Sequence, residues 1–562
     1  CPVNLDYFRA LEDGTPAAGK FEGWPDSLAD FNLLDPCCGS GHFLVAAFLM
    51  LVPMRMAAEG LSAKEAVSRV LAENIHGLEL DPRCVEIAVF AVALEAWRFP
   101  DASGKPLGVR EIPAPNIACC GLKVAAKAQD WEALVPDDAP NVEYMRQELR
   151  QLHTSFSDAP LLGSLLDPAR SLKNDLAMSS YATLTSLLGK ALATERPASL
   201  INEDDDRWEL ALSAQGLLEA ARLLERRYHL VITNVPYLAR GRQSDALKQY
   251  CAAHYAEAKS DIANVFLERC LELAYDQGHG VVQIVMPQNW LFLTAYKAQR
   301  ESLLKRVQWN LLARLGEGGF DSPQAAGAFI ILLTQTHASA TDDFRLRGID
   351  ASALKRPAEK ATLLRSGEVV DVRQRGQLDN PDVRVAFEEA HGAILLSRYA
   401  DGFKGLSTGD LNRFIHEHWE LPRISDGWVP YQGSVERSEE FGGRSQVLLW
   451  ENGDGAMVQQ PSCYVKGAKA WSKKGVSITQ MRGLPSTLYQ GEMFDENAAA
   501  VIPSNPNHQA ALFCYVTSPE FLVNVRQIDA ALKVTNKTFV KVPFDVEHWE
   551  RVAKERYPDG LP

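Results

Sequence analysis

The chain has 562 residues, 46% of them hydrophobic and 23% charged, with a formal net charge of −14. That is the composition of a globular protein with about three domains' worth of chain, and it counts against a protein that coats nucleic acid through overall positive charge. No unbroken apolar run approaches the roughly 18 residues that cross a bilayer.

The first residues, CPVNLDYFRALEDG, show neither a basic nor an apolar leader region, and the start on Cys1 leaves an upstream segment open. Ten cysteines make no C-x-x-C pair, and no histidine cluster lies at metal-ligand spacing. A reduced, cytoplasmic protein with no metal and no membrane association is expected.

Residues 31–123 alternate short β-like runs with helical stretches. FNLLDPCCGSGHFLVAAFLML reads as strand, glycine turn and helix, and NIHGLELDPRCVEIAVFAVALEAW repeats the plan. This rhythm predicts an α/β fold with a parallel, doubly wound, Rossmann-like sheet carrying helices on its faces.

In the run from Leu34 to Phe43, the glycines let backbone approach a ligand, and the following helix N-terminus leaves N–H groups free. The second strand ends in Gly77-Leu78-Glu79-Leu80-Asp81, where an acidic tip can accept from both ribose hydroxyls of a nucleoside. A solvated strand end explains that acid equally well in isolation. The pair, about 40 residues apart, favours a nucleoside cofactor.

Residues 124–226 are polar and helix-like, with an acidic break at Glu203-Asp204-Asp205-Asp206, and read as an inserted helical subdomain. From 227 to 338 the βα rhythm returns in YHLVITNVPY, GVVQIVMPQNWLF, WNLLARLG and AFIILLTQ.

The first of these ends in Asn234-Val235-Pro236-Tyr237. An exocyclic amine is a poor nucleophile, because its lone pair is delocalised into the ring. The Asn234 side-chain oxygen and the Val235 carbonyl can accept from such an amine, Pro236 stiffens the loop, and Tyr237 offers a face for an extruded base. An ordinary proline turn after a strand is the plainer alternative.

DPCCGSGHF, GLELD and NVPY, in that order, resemble the amino-methyltransferases of DNA, specifically the gamma-type N6-adenine enzymes. The resemblance implies S-adenosylmethionine as cofactor, bordered by Asp35, Pro36, Cys38, Gly39, Gly41, Phe43 and Asp81, with Glu79 on the ribose. It implies catalysis by Asn234, Val235, Pro236 and Tyr237, although Val235 stands where the family usually has proline.

The needed group there is a main-chain carbonyl, which valine supplies. Asp261, Phe266 and Phe320 are placed by the same resemblance in the base pocket, with a core role for Phe320 equally open. The expected reaction is direct in-line transfer from a sulfonium, without metal or covalent enzyme intermediate.

From 339 to 562 the texture turns β-rich and loop-rich, and a mixed α+β domain is expected. GFKGLSTGDLNRFIHEH, YVKGAKAWSKKGVSITQMRGL and the segment ending NKTFVKVPF resemble the target-recognition region of large bacterial defence methyltransferases. Those include Eco57I-like restriction-methylase fusions, the BREX methyltransferase PglX and the DISARM adenine methyltransferase.

Lys466, Lys469, Lys473, Lys474 and Arg482 lie near Tyr464 and Trp471, a mixture suited to phosphate contact and base-edge readout. Double-stranded DNA is the expected partner, with a nuclease or helicase of a defence system supplied by other subunits. Two rivals stay open: an enzyme acting on RNA or a protein glutamine, and a DNA-specificity subunit whose methylation site has decayed.

Overall fold

The computed structural model describes residues 20–124, 127–132, 142–168, 219–320, 327–387, 394–424, 426–529 and 532–562, together with residues 3, 5–10, 13–16, 135, 137, 170 and 216. The acidic break at 203–206 lies outside the described residues, as does much of the expected insertion. The chain divides into two compact units, Cys1–Glu389 and Ala390–Pro562.

The first unit is built on a mixed nine-stranded sheet in the order β3-β2-β1-β4-β5-β7-β6-β8-β9. Its first five strands are β1 (Leu33–Asp35), β2 (Ile75–Glu79), β3 (Asn116–Cys119), β4 (Leu230–Asn234) and β5 (Val281–Pro287). All their mutual pairings are parallel. The central β1 is buried throughout, as a parallel strand covered on both faces must be.

β7 (Ile330–Thr336) pairs antiparallel with β5 and with β6 (Gln308–Gly316). The sheet then continues past residue 338 into β8 (Arg345–Asp350) and β9 (Val370–Arg373). The boundary expected at 338/339 therefore moves to 389/390. β9 is a four-residue edge strand with three exposed positions, and such a strand has the polar texture of a loop.

The helices α1 (His42–Glu59), α2 (Ala63–Arg69) and α3 (Pro82–Arg98) follow the first two strands. Leu44, Phe48, Leu51 and Val52 of α1 share one core cluster with Val67 of α2, Ile75 of β2, and Ala88, Val92 and Ala96 of α3. By length and composition α1 is apolar enough to cross a membrane, which reading for unbroken apolar runs did not anticipate.

Its core-facing side also carries Arg55, fully buried. That guanidinium bonds Glu59 at 2.6 Å, Glu73 at 2.5 Å and the Asn74 amide oxygen at 3.0 Å. A buried charge is tolerated only with partners of this kind.

The described part of the insertion is helical: α4 (Ala128–Glu132), α5 (Val142–Ser157), α6 (Ala159–Leu162) and a 3-10 turn at Gly163–Leu165. β4 leads on to α7 (Asp245–His254), α8 (Ile262–Leu273) and α9 (Lys297–Arg306).

The second unit holds two four-stranded sheets. One runs β10 (Ala400–Lys404), β17 (Ala498–Pro503), β14 (Gly475–Thr479) and β15 (Ser486–Tyr489), all antiparallel. The other runs β11 (Ile415–Glu417), β13 (Gln446–Leu449), β12 (Trp428–Gln432) and β16 (Met493–Phe494). Helices at Gln509–Val516, Pro519–Ile528 and Val546–Arg556 complete it.

Candidate active site

β1 is shorter than its neighbours, and this makes a notch. Asp35, its last residue, pairs with Gly77 of β2, and Leu34 pairs with Val231 of β4. Glu79 and Asn234, the last residues of those flanking strands, therefore overhang the tip of β1 by two positions each, about 7 Å of extended chain. The strand order also reverses at β1, the place where open α/β sheets form ligand crevices.

The glycine turn folds over this notch. Gly41 has φ +85°, and a Cβ there would stand 3.0 Å from the Ala88 Cβ, so only glycine starts α1 this close to α3. The Gly39 amide donates to Glu79 Oε2 at 2.9 Å, while Glu79 Oε1 accepts from the amides of Leu80 and Asp81 at 2.8 and 3.1 Å. The Glu79 carboxylate thus ties the turn to the tip of β2.

Asp35 lies beneath the turn, 1% exposed, and accepts from the Cys37 amide at 3.1 Å. Burial pushes its carboxyl up to about 7. The neighbouring Thr233 hydroxyl, which makes no well-formed hydrogen bond, pulls it part of the way back, as does the Cys37 amide.

On the other side, the Tyr237 hydroxyl donates to Asn234 Oδ1 at 3.3 Å. Burial first, and then the charge of Asp261, raise the Tyr237 phenol to about 12, so it stays a donor. Val235 is buried, whereas Asn234 and Pro236 are exposed. Asp261 caps α8 through the Ala263 amide at 3.0 Å and also takes the Leu238 amide at 3.3 Å, anchoring the loop after the Asn-Val-Pro-Tyr turn.

A cleft of about 410 Å³ joins the two sides. Pro36, Cys37 and Glu79 line one side, and Asn234, Val235, Pro236, Ile262 and Phe266 the other. Leu80 and Cys120 extend the Glu79 side, and Leu161–Leu165 of the insertion form a third wall. Asn234 is therefore not walled off from the glycine turn.

Residues 73–319 match the family described as Eco57I restriction-modification methylase. The match takes in the stretch from β2 to the end of β6, less than half of the chain, and that stretch is similar to this family. The chain is 27% identical over 327 residues to the adenine-specific methyltransferase PglX of Lacticaseibacillus casei (strain Zhang), covering 57% of this chain and 24% of that protein.

It is 24% identical over 519 residues to the adenine-specific methyltransferase BrxX of Escherichia coli O9:H4 (strain HS), covering 86% and 41%. The chain spans less than half the length of these relatives. Among solved structures it resembles a nuclease-deletion mutant of the Type ISP restriction-modification enzyme LlaGI in complex with a DNA substrate mimic. That likeness has TM-score 0.53 at 11% identity, over 99% of this chain and 46% of that one.

The Type IIL restriction-modification enzyme MmeI in complex with DNA gives TM-score 0.50 at 11% identity, over 95% and 66%. These likenesses establish the fold, a mixed α/β architecture with a large central sheet.

Several expected site residues stand elsewhere than in the cleft. Cys37, not Cys38, faces the cleft: Cys38 donates its amide to the Leu78 carbonyl at 3.0 Å and turns its side chain into the core beside Gly77 and Leu44. Asp81 caps α3, accepting from the Arg83 amide at 3.0 Å and pairing with the Arg83 guanidinium, with Pro82 behind it at the first helical position.

Asp35, Gly39, Gly41, Phe43, Tyr237 and Asp261 do not line the cleft, although Asp35 and Asp261 adjoin Pro36 and Ile262, which do. Phe320 follows β6 at the same sheet edge as Asn234, but packs with Leu315, Ile330 and Val285 in a separate small cluster. Sequence reading missed the third wall. Its signal was APLLGSLL, an apolar run inside a polar insertion.

In the second unit, Lys466, Lys469, Lys473, Lys474 and Arg482 are all exposed. Lys466 and Lys404 lie 5.1 and 4.8 Å from the centre of the Tyr464 ring. Trp471 is half-buried: it packs edge-on against Trp450 and joins two core clusters of the unit.

Proposed function

We propose that the chain is an S-adenosylmethionine-dependent methyltransferase that places a methyl group on the exocyclic N6 of adenine in double-stranded DNA, marking host DNA in a restriction or BREX-like phage-defence system. The observation that carries this reading is that Glu79 and Asn234 open into one cleft from opposite sides of the β1 notch. On this reading the nine-stranded sheet is a doubly wound, Rossmann-like methyltransferase sheet with a helical insertion, and residues 390–562 serve target recognition.

The residues present fit the cofactor. A Cβ built on Gly39 would meet no atom within 4 Å, so its backbone borders open space. Glu79 offers carboxylate oxygens for a ribose diol, and Leu80, Leu161 and Leu165 supply apolar surface for a purine. When bound, the cofactor supplies an electrophilic methyl on a sulfonium.

The chain's own residues handle the acceptor. Asn234 Oδ1 and the Val235 carbonyl accept from the N6 amino group, drawing its lone pair out of conjugation and towards the methyl. The cofactor sulfur would keep the electron pair of the C–S bond, and the surplus amine proton would pass to solvent beside the exposed Asn234. Pro236 keeps the Val235 carbonyl from rotating away, and the Tyr237 ring is available for an extruded base to stack on. Asn at 234 favours N6-adenine over N4-cytosine.

Lys466, Lys469, Lys473, Lys474 and Arg482 hold the duplex by its phosphates. A nuclease or helicase of the same system would act as a separate partner. Incubation with methyl-labelled cofactor and genomic DNA from an unmodified strain tests the reading. Label is expected in N6-methyladenine within one fixed sequence context, and is lost with Asn234→Ala while cofactor binding persists. Label appearing in RNA or protein instead, or surviving Asn234→Ala, rejects it.

A further inference from the structure

Arg269 of α8 is fully buried, although nothing about a helix in the first unit requires a charge there. Its guanidinium reaches out of α8 to the insertion. Nε donates to the Ser164 carbonyl at 3.0 Å and Nη2 to the Leu166 carbonyl at 2.7 Å, while Nη1 meets Glu272 at 3.1 Å.

Tyr250 of α7 adds its hydroxyl to the Leu165 carbonyl at 2.8 Å. Three successive carbonyls of the insertion are thus held by side chains from elsewhere. Leu161–Leu165 of the same stretch line the cleft, and Ser164 Oγ stands 4.0 Å from Cys37 Sγ. A Cβ on Gly163 would come within 3.0 Å of Leu80, so this wall lies directly against the cofactor side.

We infer that Arg269 is a positioning residue which, by clamping residues 163–166 against the cleft, sets how tightly the cofactor is held. This rests on the methyltransferase reading above. α8 also lends Ile262 and Phe266 to the acceptor side, so one rigid helix carries both the acceptor wall and the clamp for the cofactor wall. The planar fork of arginine can bond two carbonyls and a carboxylate together, which a lysine ammonium on a flexible stem does not reproduce.

The test is steady-state methylation of unmodified genomic DNA by wild type, Arg269→Lys and Tyr250→Phe, varying S-adenosylmethionine, with direct calorimetric titration of the same cofactor. Arg269→Lys should raise KM and Kd for the cofactor about tenfold and Tyr250→Phe about threefold, with kcat within about twofold and DNA affinity unchanged.

A role confined to holding the fold together would instead lower kcat through loss of active enzyme and leave cofactor Kd in the surviving fraction alone. Wild-type cofactor affinity in folded Arg269→Lys overturns the inference. If Arg269→Lys does not fold, Tyr250→Phe decides in the same way. A wild-type protein that binds no S-adenosylmethionine brings down the methyltransferase reading, and this inference with it.

Discussion

The Tyr237 hydroxyl donates to Asn234 Oδ1 at 3.3 Å, so the proposed catalytic amide is oriented by the aromatic three residues further along. The bond occupies one lone pair of the amide oxygen and leaves the other for an incoming amine. Tyr237→Phe keeps the ring and loses only this orientation, so kcat should fall by less than about tenfold. Asn234→Ala removes the acceptor itself and should cost about 10² to 10³ in kcat, the range seen when one transition-state hydrogen-bonding group is deleted. Single-turnover assays at saturating cofactor separate the two.

Glu79 holds three backbone amides as well as facing the cleft. Glu79→Gln puts an amide donor where one of those N–H groups now finds an acceptor. Loss of a charged hydrogen bond of about 1.5–3 kcal/mol should weaken cofactor binding by about ten- to hundredfold. Titration calorimetry would register this, with DNA affinity measured by anisotropy remaining at the wild-type value.

Asp35 makes stability depend on pH in an unusual direction for a carboxyl. Its folded value is about 7, while unfolded aspartate sits near 4. Between those values the folded chain binds the additional proton, so this group's contribution to stability is greatest at low pH and is lost as pH rises from about 4 to about 7. Asp35→Asn removes the titration, and urea midpoints of wild type and variant should diverge between pH 5 and pH 8. Parallel curves would show that the buried carboxyl is not perturbed.

Arg55 ties α1 to Glu73 and Asn74 just before β2. Arg55→Met strands two glutamates and an amide oxygen that now share its charge, although both glutamates retain some access to water. A loss of about 3 kcal/mol is expected, seen as a lowered urea midpoint with an unchanged slope.

The exposed lysines of the second unit should act through phosphate alone. Lys473→Glu combined with Lys474→Glu should weaken DNA binding on any sequence and flatten its dependence on salt, by about 0.9 in log–log slope for each phosphate no longer neutralised. A change in the methylated sequence context with the slope intact would assign these residues to base readout instead.

The two sides of the cleft were legible in the sequence because their chemistry is local. A glycine turn after a buried strand, an acid at the tip of the next strand, and Asn-Val-Pro-Tyr at the end of another each declare themselves within a few residues. Orientation was not legible. Cys37 and Cys38 are adjacent and identical in type, yet one faces the cleft and the other the core. Asp81 and Asp261 have the chemistry of site residues but spend it on capping helices. The third wall depends on Arg269, about a hundred residues downstream of the carbonyls it holds, and no local pattern links them.

Two of the cleft's walls grow from strand tips that are fixed by pairing along the sheet, while the third rides on an insertion attached through side-chain contacts. On the methyltransferase reading proposed above, substitutions in that insertion would retune appetite for the methyl donor without disturbing the reacting groups. A lineage pressed to keep its mark complete under donor shortage would then have in residues 161–166 a dial separate from the chemistry.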